Sequence, residues 1–180
     1  AEGLGEITED RMRNLYIRRK ENNGKRPVVQ LDAHSDEVGF MVQAICPNGT
    51  LRIIQIGGWV NHNIPAHKVL VGKSFDCRLG CAAILKTMHT LAGQELNVDI
   101  VGACAAQEEV GVRGATVTAQ VIKPDIAIVF EGCPADDTCV ESYMVQTAIK
   151  RGPMLRHIDA RMITNPHYQR YALDLAEKLG

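Results

Sequence analysis

The alternation of strand-like and helix-like segments constrains the fold of this 180-residue chain more than any other feature of its sequence. Buried strands that alternate with helices form a sheet that helices cover on both faces. We therefore predict an α/β fold with three layers (αβα), in which a mixed sheet lies between helices. Apolar, β-rich runs predict strands at 14–19, 27–34, 67–71, 98–106 and 125–130. Periodicity predicts helices at 79–93 and 112–122, and a third that starts after Asn165 with Pro166 in its first turn.

Two further strands are predicted to pair as a hairpin. The apolar runs 37–45 and 50–56 flank a Pro47-Asn48-Gly49 segment, and Asn-Gly between such runs is a strong turn signal. The stretch 153–163 fits neither the helical nor the strand pattern, so its structure stays open. A length of 180 residues is enough for one compact domain with its own core.

Composition excludes several classes of partner. The net charge is −1, which gives no electrostatic basis for binding nucleic acid or an anionic membrane. No apolar run approaches the ~18 residues that a membrane span needs, and residues 1–10 lack the pattern of a signal peptide.

The six cysteines form no C-x-x-C pair, which suits reduced thiols better than a disulfide framework. We expect a cytoplasmic protein.

Acidic and imidazole residues follow the predicted buried strands. His34 and Asp36 come at the end of the strand 27–34, and residues two apart in an extended segment point the same way. Asp76 precedes the helix at 79–93, where it could cap the helix or present both oxygens to metal ions. Cys77 and Cys81, four residues apart, could be thiolate ligands, but we interpret them as packing residues.

Two more acidic positions complete this pattern. Glu108 and Glu109 directly follow the strand at 98–106, and Glu131 follows the strand at 125–130. Each could be an ordinary solvated loop residue. Sites in open α/β sheets form at the carboxyl ends of strands, however, and adjacent carboxylates are costly to bury unless they are paired or bind metal. The order and placement of all these residues together indicate a metal site.

These motifs resemble the di-metal aminopeptidases that include glutamyl aminopeptidase and the large tetrahedral aminopeptidases, some of which are labelled cellulase or endoglucanase. The resemblance covers nearly the whole chain. It implies a peptide substrate, two divalent metal ions per chain (zinc or cobalt, with manganese also compatible) and a homo-oligomer. The matching runs are LDAHSDEVGFMV (31–42), LRIIQIGGW (51–59), GKSFDCRLGC (72–81), QEEVGVRGA (107–115), KPDIAIVFEG (123–132) and GPMLRHIDARMITNP (152–166).

The resemblance also implies a role for each site residue. His34, Asp76 and Glu131 would hold one metal ion, and Asp76 would bridge to a second ion that Glu109 also holds. Two further residues would act around the metals. Glu108 would be the general base on a metal-activated water, and Asp36 would orient His34 or tune the site.

Several departures from the family pattern are visible. The resemblance implies that a downstream histidine completes the metal set, in a C-terminal segment expected beyond Gly180. The family's inserted β-rich domain is expected to be absent near Val71-Gly72, so residues 1–180 would be an incomplete catalytic core. Cys77 stands at a usually acidic position, and Glu131 stands where a shorter aspartate is common. Related peptidases often have a cis peptide after the bridging aspartate, which leaves open whether Asp76-Cys77 has one.

Two other functions compete with the aminopeptidase hypothesis. Paired carboxylates such as Asp36 and Glu108 could hydrolyse glycosides, although that chemistry leaves His34 and Asp76 unexplained. Aromatic residues make up only 4% of the chain, which gives few surfaces on which sugars stack. The second alternative is an inactive metal-binding or oligomerisation core, which the missing downstream histidine favours.

Overall fold

The computed structural model describes residues 3–58, 74–137 and 140–180. Internal contacts divide the chain into two units, Ala1–Gly132 and Cys133–Gly180. All the predicted site residues belong to the first unit. The strand predicted at 67–71 and the Val71-Gly72 junction lie outside the described residues.

Strands of the first unit form one five-stranded mixed sheet and one separate hairpin, as predicted. The strands are β1 (Gly5–Glu9), β2 (Leu15–Arg19), β3 (Val28–His34), β4 (Gly39–Ile45), β5 (Leu51–Ile56), β6 (Asp99–Ala105) and β7 (Ile126–Val129). The large sheet has the order β1-β2-β6-β3-β7, and β4 pairs with β5. Strand β3 runs parallel to β6 and β7, whereas β2 runs antiparallel to β1 and β6.

Among the described strands, β1 is the one that the sequence analysis did not predict. Its sequence, GEITE, contains two glutamates and lacks an apolar run. The strand pairs with β2 at the edge of the sheet, and most of its residues are exposed. Charged residues on an edge strand oppose pairing with other chains, and they also remove the apolar pattern by which buried strands are recognised.

Helices cover both faces of the large sheet, which confirms the α/β prediction. Helix α1 (Phe75–Thr90) packs Ile84 and Met88 into a core cluster with Leu31 and Ala33 of β3. Successive strand residues point to opposite faces. The neighbouring β3 residues Gln30 and Asp32 therefore face the other side, where both side chains bond to Thr118 of helix α2 (Arg113–Ile122).

Ile84→Ala is expected to lower the free energy of unfolding by about 2–5 kcal/mol, because it leaves a cavity under α1. Ile84 is fully buried, at 0% exposure. Urea unfolding followed by circular dichroism would measure the change. Leu79 is 65% exposed on the same helix, so Leu79→Ala should change stability by no more than about 0.5 kcal/mol. Equal losses in the two variants would contradict this packing.

The second unit contains a short 3-10 helix (Ser142–Met144) and helix α3 (Pro166–Leu179). Helix α3 begins as predicted, because the Asn165 side chain accepts a hydrogen bond from the backbone N–H of His167 at 3.0 Å. The stretch left open, 153–163, is irregular apart from a bridge between Ile158 and Ile163.

Two predictions from composition can be compared with the described residues. The five cysteines there are free thiols, as expected: Cys46, Cys77, Cys81, Cys104 and Cys133. Within the same ranges, no helix has both the length and the apolar character needed to cross a lipid bilayer.

Candidate metal centre

Separate chain segments bring the predicted site residues to one edge of the large sheet. His34 is the last residue of β3, while Glu108 and Glu109 follow β6 and Glu131 follows β7. Because these three strands are parallel, their carboxyl ends lie at the same edge. Asp76 approaches this edge from the start of α1.

His34 is buried at the centre of the cluster, with 3% of its surface exposed. Its Nδ1 lies 3.1 Å from the backbone carbonyl oxygen of Asp36. A carbonyl oxygen only accepts hydrogen bonds, so Nδ1 carries the hydrogen and donates it. In the neutral ring the lone pair is then on Nε2, which faces the carboxylates. Proteins commonly orient metal-binding imidazoles in this way.

Three carboxylates surround His34 Nε2. The nitrogen lies 2.8 Å from Asp76 Oδ1, 3.3 Å from Glu131 Oε1 and 3.9 Å from Glu108 Oε2. Ionised carboxylates only accept hydrogen bonds, so in the absence of a metal ion the protonated His34 ring supplies the hydrogen, with Nε2–H donating to Asp76 Oδ1. Burial lowers the pKa of His34, but Glu131 and Asp76 outweigh it and raise that pKa to about 10. A bound metal ion would take the place of the Nε2 proton among the same carboxylates.

Asp76 does not cap helix α1. The cap position is Ser74, and Asp76 has a non-helical backbone that directs Oδ1 to His34. The peptide bond between Asp76 and Cys77 is cis, which answers the question left open by the sequence. Gly132 makes room for this carboxylate, since a Cβ there would lie 2.9 Å from Asp76 Oδ1.

Asp36 holds the two adjacent glutamates by their backbone. Its Oδ1 accepts the N–H of Glu108 at 3.0 Å and its Oδ2 accepts the N–H of Glu109 at 3.2 Å. Its backbone carbonyl orients His34, as described above. Because both side-chain oxygens already accept backbone hydrogen bonds, Asp36 is poorly placed to act with Glu108 as a glycosidase pair.

The pKa values of the acidic residues reflect crowding of like charges. Burial raises the pKa of Glu108, and Glu131, Asp36 and Asp76 raise it further, against the opposite effect of His34. Burial and Asp76 likewise raise the pKa of Glu109. For Glu131, burial acts upward, but hydrogen bonds from His34 and the Gly132 N–H lower the pKa overall. Such crowding is relieved by a bound cation.

The donor atoms fit divalent metal. Among the described residues, two groups offer ligand atoms that all lie within 4.8 Å of one another. The first group contains the three residues expected at one metal ion, together with Cys77, and the second combines His34 with Glu108 and Glu109. The resemblance pairs Glu109 with Asp76, whereas the structure places Glu109 in a group with His34. One imidazole with several carboxylates suits zinc, cobalt or manganese.

Cys77 and Cys81 are better described as packing residues, in line with our interpretation of the sequence. The Cys77 thiol donates to the backbone oxygen of Phe130 at 3.2 Å. Burial and the charge of Glu131 raise the pKa of this thiol to about 11, so the thiolate that would bind metal is disfavoured. The Cys81 thiol donates to the backbone oxygen of His34 at 3.3 Å, which supports the strand that ends in the site.

Glu37 is a site residue that the sequence analysis missed. Its Oε2 accepts a hydrogen bond from Ser74 Oγ at 2.6 Å, next to the start of α1. Arg78 of α1 lies 3.9 Å from Glu37 Oε1 and donates to the backbone oxygen of Ser35 at 3.0 Å. Glu37 therefore helps to fix the segment that presents Asp76. The sequence signal that could have identified Glu37 is its position directly after Asp36.

The fold and the site define a class: an α/β protein with a candidate centre for divalent metal at the carboxyl edge of its sheet. Comparison with known proteins makes this more specific. The family model for M42 glutamyl aminopeptidases matches residues 14–72 and 62–180. The chain therefore belongs to the M42 glutamyl aminopeptidase family, which confirms the resemblance inferred from the motifs.

A curated relative agrees with this family assignment. The putative aminopeptidase FrvX of Escherichia coli (strain K12) is 27% identical over 235 residues, an alignment that covers 90% of this chain and 65% of FrvX. The chain thus spans slightly less than two thirds of the length of that relative.

Solved structures of low sequence identity show the same fold. The TET aminopeptidase of Thaumarchaeota archaeon SCGC AB-539-E09 has a TM-score of 0.82 at 22% identity, covering 97% of this chain and 69% of that one. The TET1 peptidase of Pyrococcus horikoshii, which can assemble into a tetrahedron or a large octahedral shell, has a TM-score of 0.74 at 19% identity. That match covers 99% of this chain and 73% of the TET1 chain.

Proposed function

We propose that this chain is the core of a metal-dependent aminopeptidase that hydrolyses N-terminal residues from peptides. The observation that carries the proposal is the convergence of Asp76, Glu131 and Glu108 within 3.9 Å of His34 Nε2. One imidazole among several carboxylates is a ligand set that suits a divalent cation, and a metal-activated water is a chemistry that hydrolyses peptides. Membership of an aminopeptidase family supports the same conclusion.

Each residue has a distinct part in the proposed site. His34, Asp76 and Glu131 would bind the first metal ion, and Asp76 with Glu109 would bind the second. Divalent cations, zinc or cobalt, would supply activation of water and stabilisation of negative charge on the peptide oxygen. Asp36 keeps Glu108 and Glu109 in place through their backbone N–H groups.

Glu108 acts as the general base of the proposed reaction. It takes a proton from the attacking water and passes it to the leaving amine. A base works best when its pKa lies near the operating pH, and burial moves the pKa of Glu108 upward in that direction. The carboxylate is close to His34 without accepting one of its short hydrogen bonds, which leaves it free to exchange a proton.

The wider setting of the proposed enzyme follows from its relatives. The FrvX alignment extends over 235 residues while this chain has 180, so FrvX has residues that this chain lacks. The family model matches in two segments, 14–72 and 62–180, which supports our hypothesis that the additional domain lies near position 71/72. Residues 1–180 would then represent part of the catalytic core. Shell assembly by TET1 of Pyrococcus horikoshii supports a homo-oligomeric state, and we place the enzyme in the cytoplasm.

Removal of metal is expected to abolish hydrolysis of aminoacyl anilides by this chain. EDTA treatment followed by dialysis, and then addition of zinc or cobalt, would test this with a chromogenic substrate. Activity should disappear with the chelator and return with metal, because the water is activated only at the cation. A two-carboxylate glycosidase would keep its activity in EDTA and would act on glycosides instead.

Metal stoichiometry separates the proposal from an inactive metal-binding core. Two ions per chain with chelator-sensitive hydrolysis support the aminopeptidase. One tightly bound ion per chain without hydrolysis, over a panel of aminoacyl anilides, would identify a binding or oligomerisation module. Metal analysis by mass spectrometry on the same preparation provides the count.

A further inference from the structure

Asn14, just before strand β2, is buried outside the site described above. Its exposure is 0%, and its side-chain oxygen Oδ1 accepts the backbone N–H of Ala106 at 2.8 Å. Ala106 lies just beyond the end of β6, two residues before Glu108. The bond therefore joins the start of one strand to the segment that leads into the proposed general base.

The backbone of Asn14 is not available for this contact. Its N–H is donated to Asp10 Oδ1 at 3.0 Å, and its carbonyl oxygen accepts the N–H of Asp10 at 3.1 Å. Arg13 has a left-handed backbone (φ 72) in the turn that joins β1 to β2, where its N–H bonds to the Asp10 carbonyl oxygen at 3.1 Å. The last residue pair between the two strands is Leu15 with Cys104, so the Asn14 side chain extends the pairing where the backbone cannot.

Asp10 fixes the orientation of the Asn14 amide. Its Oδ2 accepts a hydrogen bond from Asn14 Nδ2 at 2.8 Å and one from the Tyr16 hydroxyl at 2.7 Å. With Nδ2 held by a carboxylate, Oδ1 must be the atom that faces Ala106. Gly114 of α2 closes the other side, because a Cβ there would lie 2.5 Å from Asn14 Oδ1 and 2.6 Å from the Ala106 nitrogen.

Backbone hydrogen bonds from Ser35 to Ala105 and from Arg113 to Gln107 hold the segment that bears the glutamates, and two side chains hold it in addition. Asp36, after β3, accepts hydrogen bonds from the backbone N–H groups of Glu108 and Glu109. Asn14, before β2, accepts one from the backbone N–H of Ala106. Between them the chain makes a sharp change of direction at Gln107, which has a left-handed backbone (φ 59). A non-glycine residue keeps such a backbone only where surrounding contacts hold it.

We infer that Asn14 is a positioning residue for Glu108, acting through the hydrogen bond from Ala106 N–H to its side-chain oxygen. This role rests on the proposed function, in which Glu108 exchanges the proton. Loss of the contact releases one end of the turn and moves the Glu108 carboxylate. Proton transfer depends steeply on such geometry, whereas binding of the peptide depends on it less.

Three variants test the inference in the full chain. Asn14→Leu has similar size but removes the acceptor, and is expected to lower kcat by about 10–100-fold, as loss of an orienting contact typically does, with KM changed by less than about threefold. Asn14→Asp keeps an oxygen for Ala106 but places a carboxylate beside Asp10. It should lose thermal stability and keep kcat within about threefold of the unaltered chain.

Tyr16→Phe is the matched control. It removes a hydrogen bond to the same Asp10 carboxylate but leaves the contact between Asn14 and Ala106 intact. We expect a loss of stability with kcat unchanged. Should Asn14→Leu not fold, Asn14→Ser, whose hydroxyl is too short to reach Ala106, takes its place. If Asn14 only stabilises the fold, kcat should fall in proportion to the loss of melting temperature in every variant, Tyr16→Phe included. That result would overturn the inference.

Amide hydrogen exchange provides a readout that does not need activity. Exchange of the amides from Ala106 to Val112 should accelerate in Asn14→Leu and not in Tyr16→Phe. If the metal-loaded, unaltered chain hydrolyses no aminoacyl anilide, the proposed function fails, and exchange alone then decides whether Asn14 orders this turn. Unchanged exchange in Asn14→Leu would overturn the inference whether or not the chain is active.

Discussion

Glu108→Gln is expected to lower kcat for aminoacyl-anilide hydrolysis by about 10²–10⁴-fold, the contribution of a positioned general base. Glutamine has nearly the same shape but cannot take up a proton. The backbone N–H of residue 108 that bonds to Asp36 remains, so the turn should keep its conformation. Steady-state kinetics over a range of substrate concentrations would measure the effect, which should appear in kcat more than in KM.

Two measurements make this result specific. Metal content should match that of the unaltered chain if Glu108 is the base and Glu109 the ligand. Glu95→Gln, which changes an exposed glutamate after α1, should have full activity. A Glu108→Gln protein that loses metal would instead identify Glu108 as a ligand, an outcome consistent with its grouping with His34 and Glu109 and opposed to our assignment.

His34→Ala is expected to have the largest effect on metal binding. In our assignment His34 binds the first ion and contacts Asp76, which both ions would share, so its loss removes a ligand of one position and disturbs the other. We expect the affinity to fall by more than the roughly 10–100-fold that loss of an outer-shell partner costs, and hydrolysis to become undetectable at metal concentrations that saturate the unaltered chain. Isothermal titration calorimetry with zinc or cobalt would measure the affinity.

Another histidine provides the control. His167 lies in the first turn of α3, outside the proposed metal set. His167→Ala should therefore bind metal with unaltered affinity. If His34→Ala retains tight binding of two ions with hydrolysis, the proposed centre is wrong and the ions bind elsewhere.

Much of the fold could be predicted because buried strands have a strong apolar pattern. The runs around β3 and β6 are apolar and largely buried, and their predicted positions were close to those observed. The run around β7 was also located, but its description as a buried strand was wrong, because this strand lies at the end of the sheet with most of its residues exposed. Strand β1 could not be recognised in this way, because an exposed edge strand needs no apolar residues. Helix α1 begins at Phe75, four residues before the predicted start, but Asp76 and Cys77 have non-helical backbone, so regular helix begins close to the predicted position.

The candidate site was predictable to a similar extent. Strand ends can be located in a sequence, and parallel strands bring their carboxyl ends together, so His34, Glu108 and Glu131 were expected to meet. What each side chain contacts depends on distances that a sequence does not contain. The sequence left open whether Asp36 orients His34, and the structure adds that its carboxylate binds the backbone of Glu108 and Glu109.

The dispersed origin of the site along the chain has a thermodynamic consequence. His34 and Asp76, which share a hydrogen bond, are 42 residues apart in the sequence, and Glu131 is still further along the chain. In the denatured ensemble these ligands are far apart, so a cation that binds all of them binds the native state alone. Its binding free energy then adds to the stability of the fold. Scarcity of metal would thus leave the polypeptide both unreactive and easier to unfold.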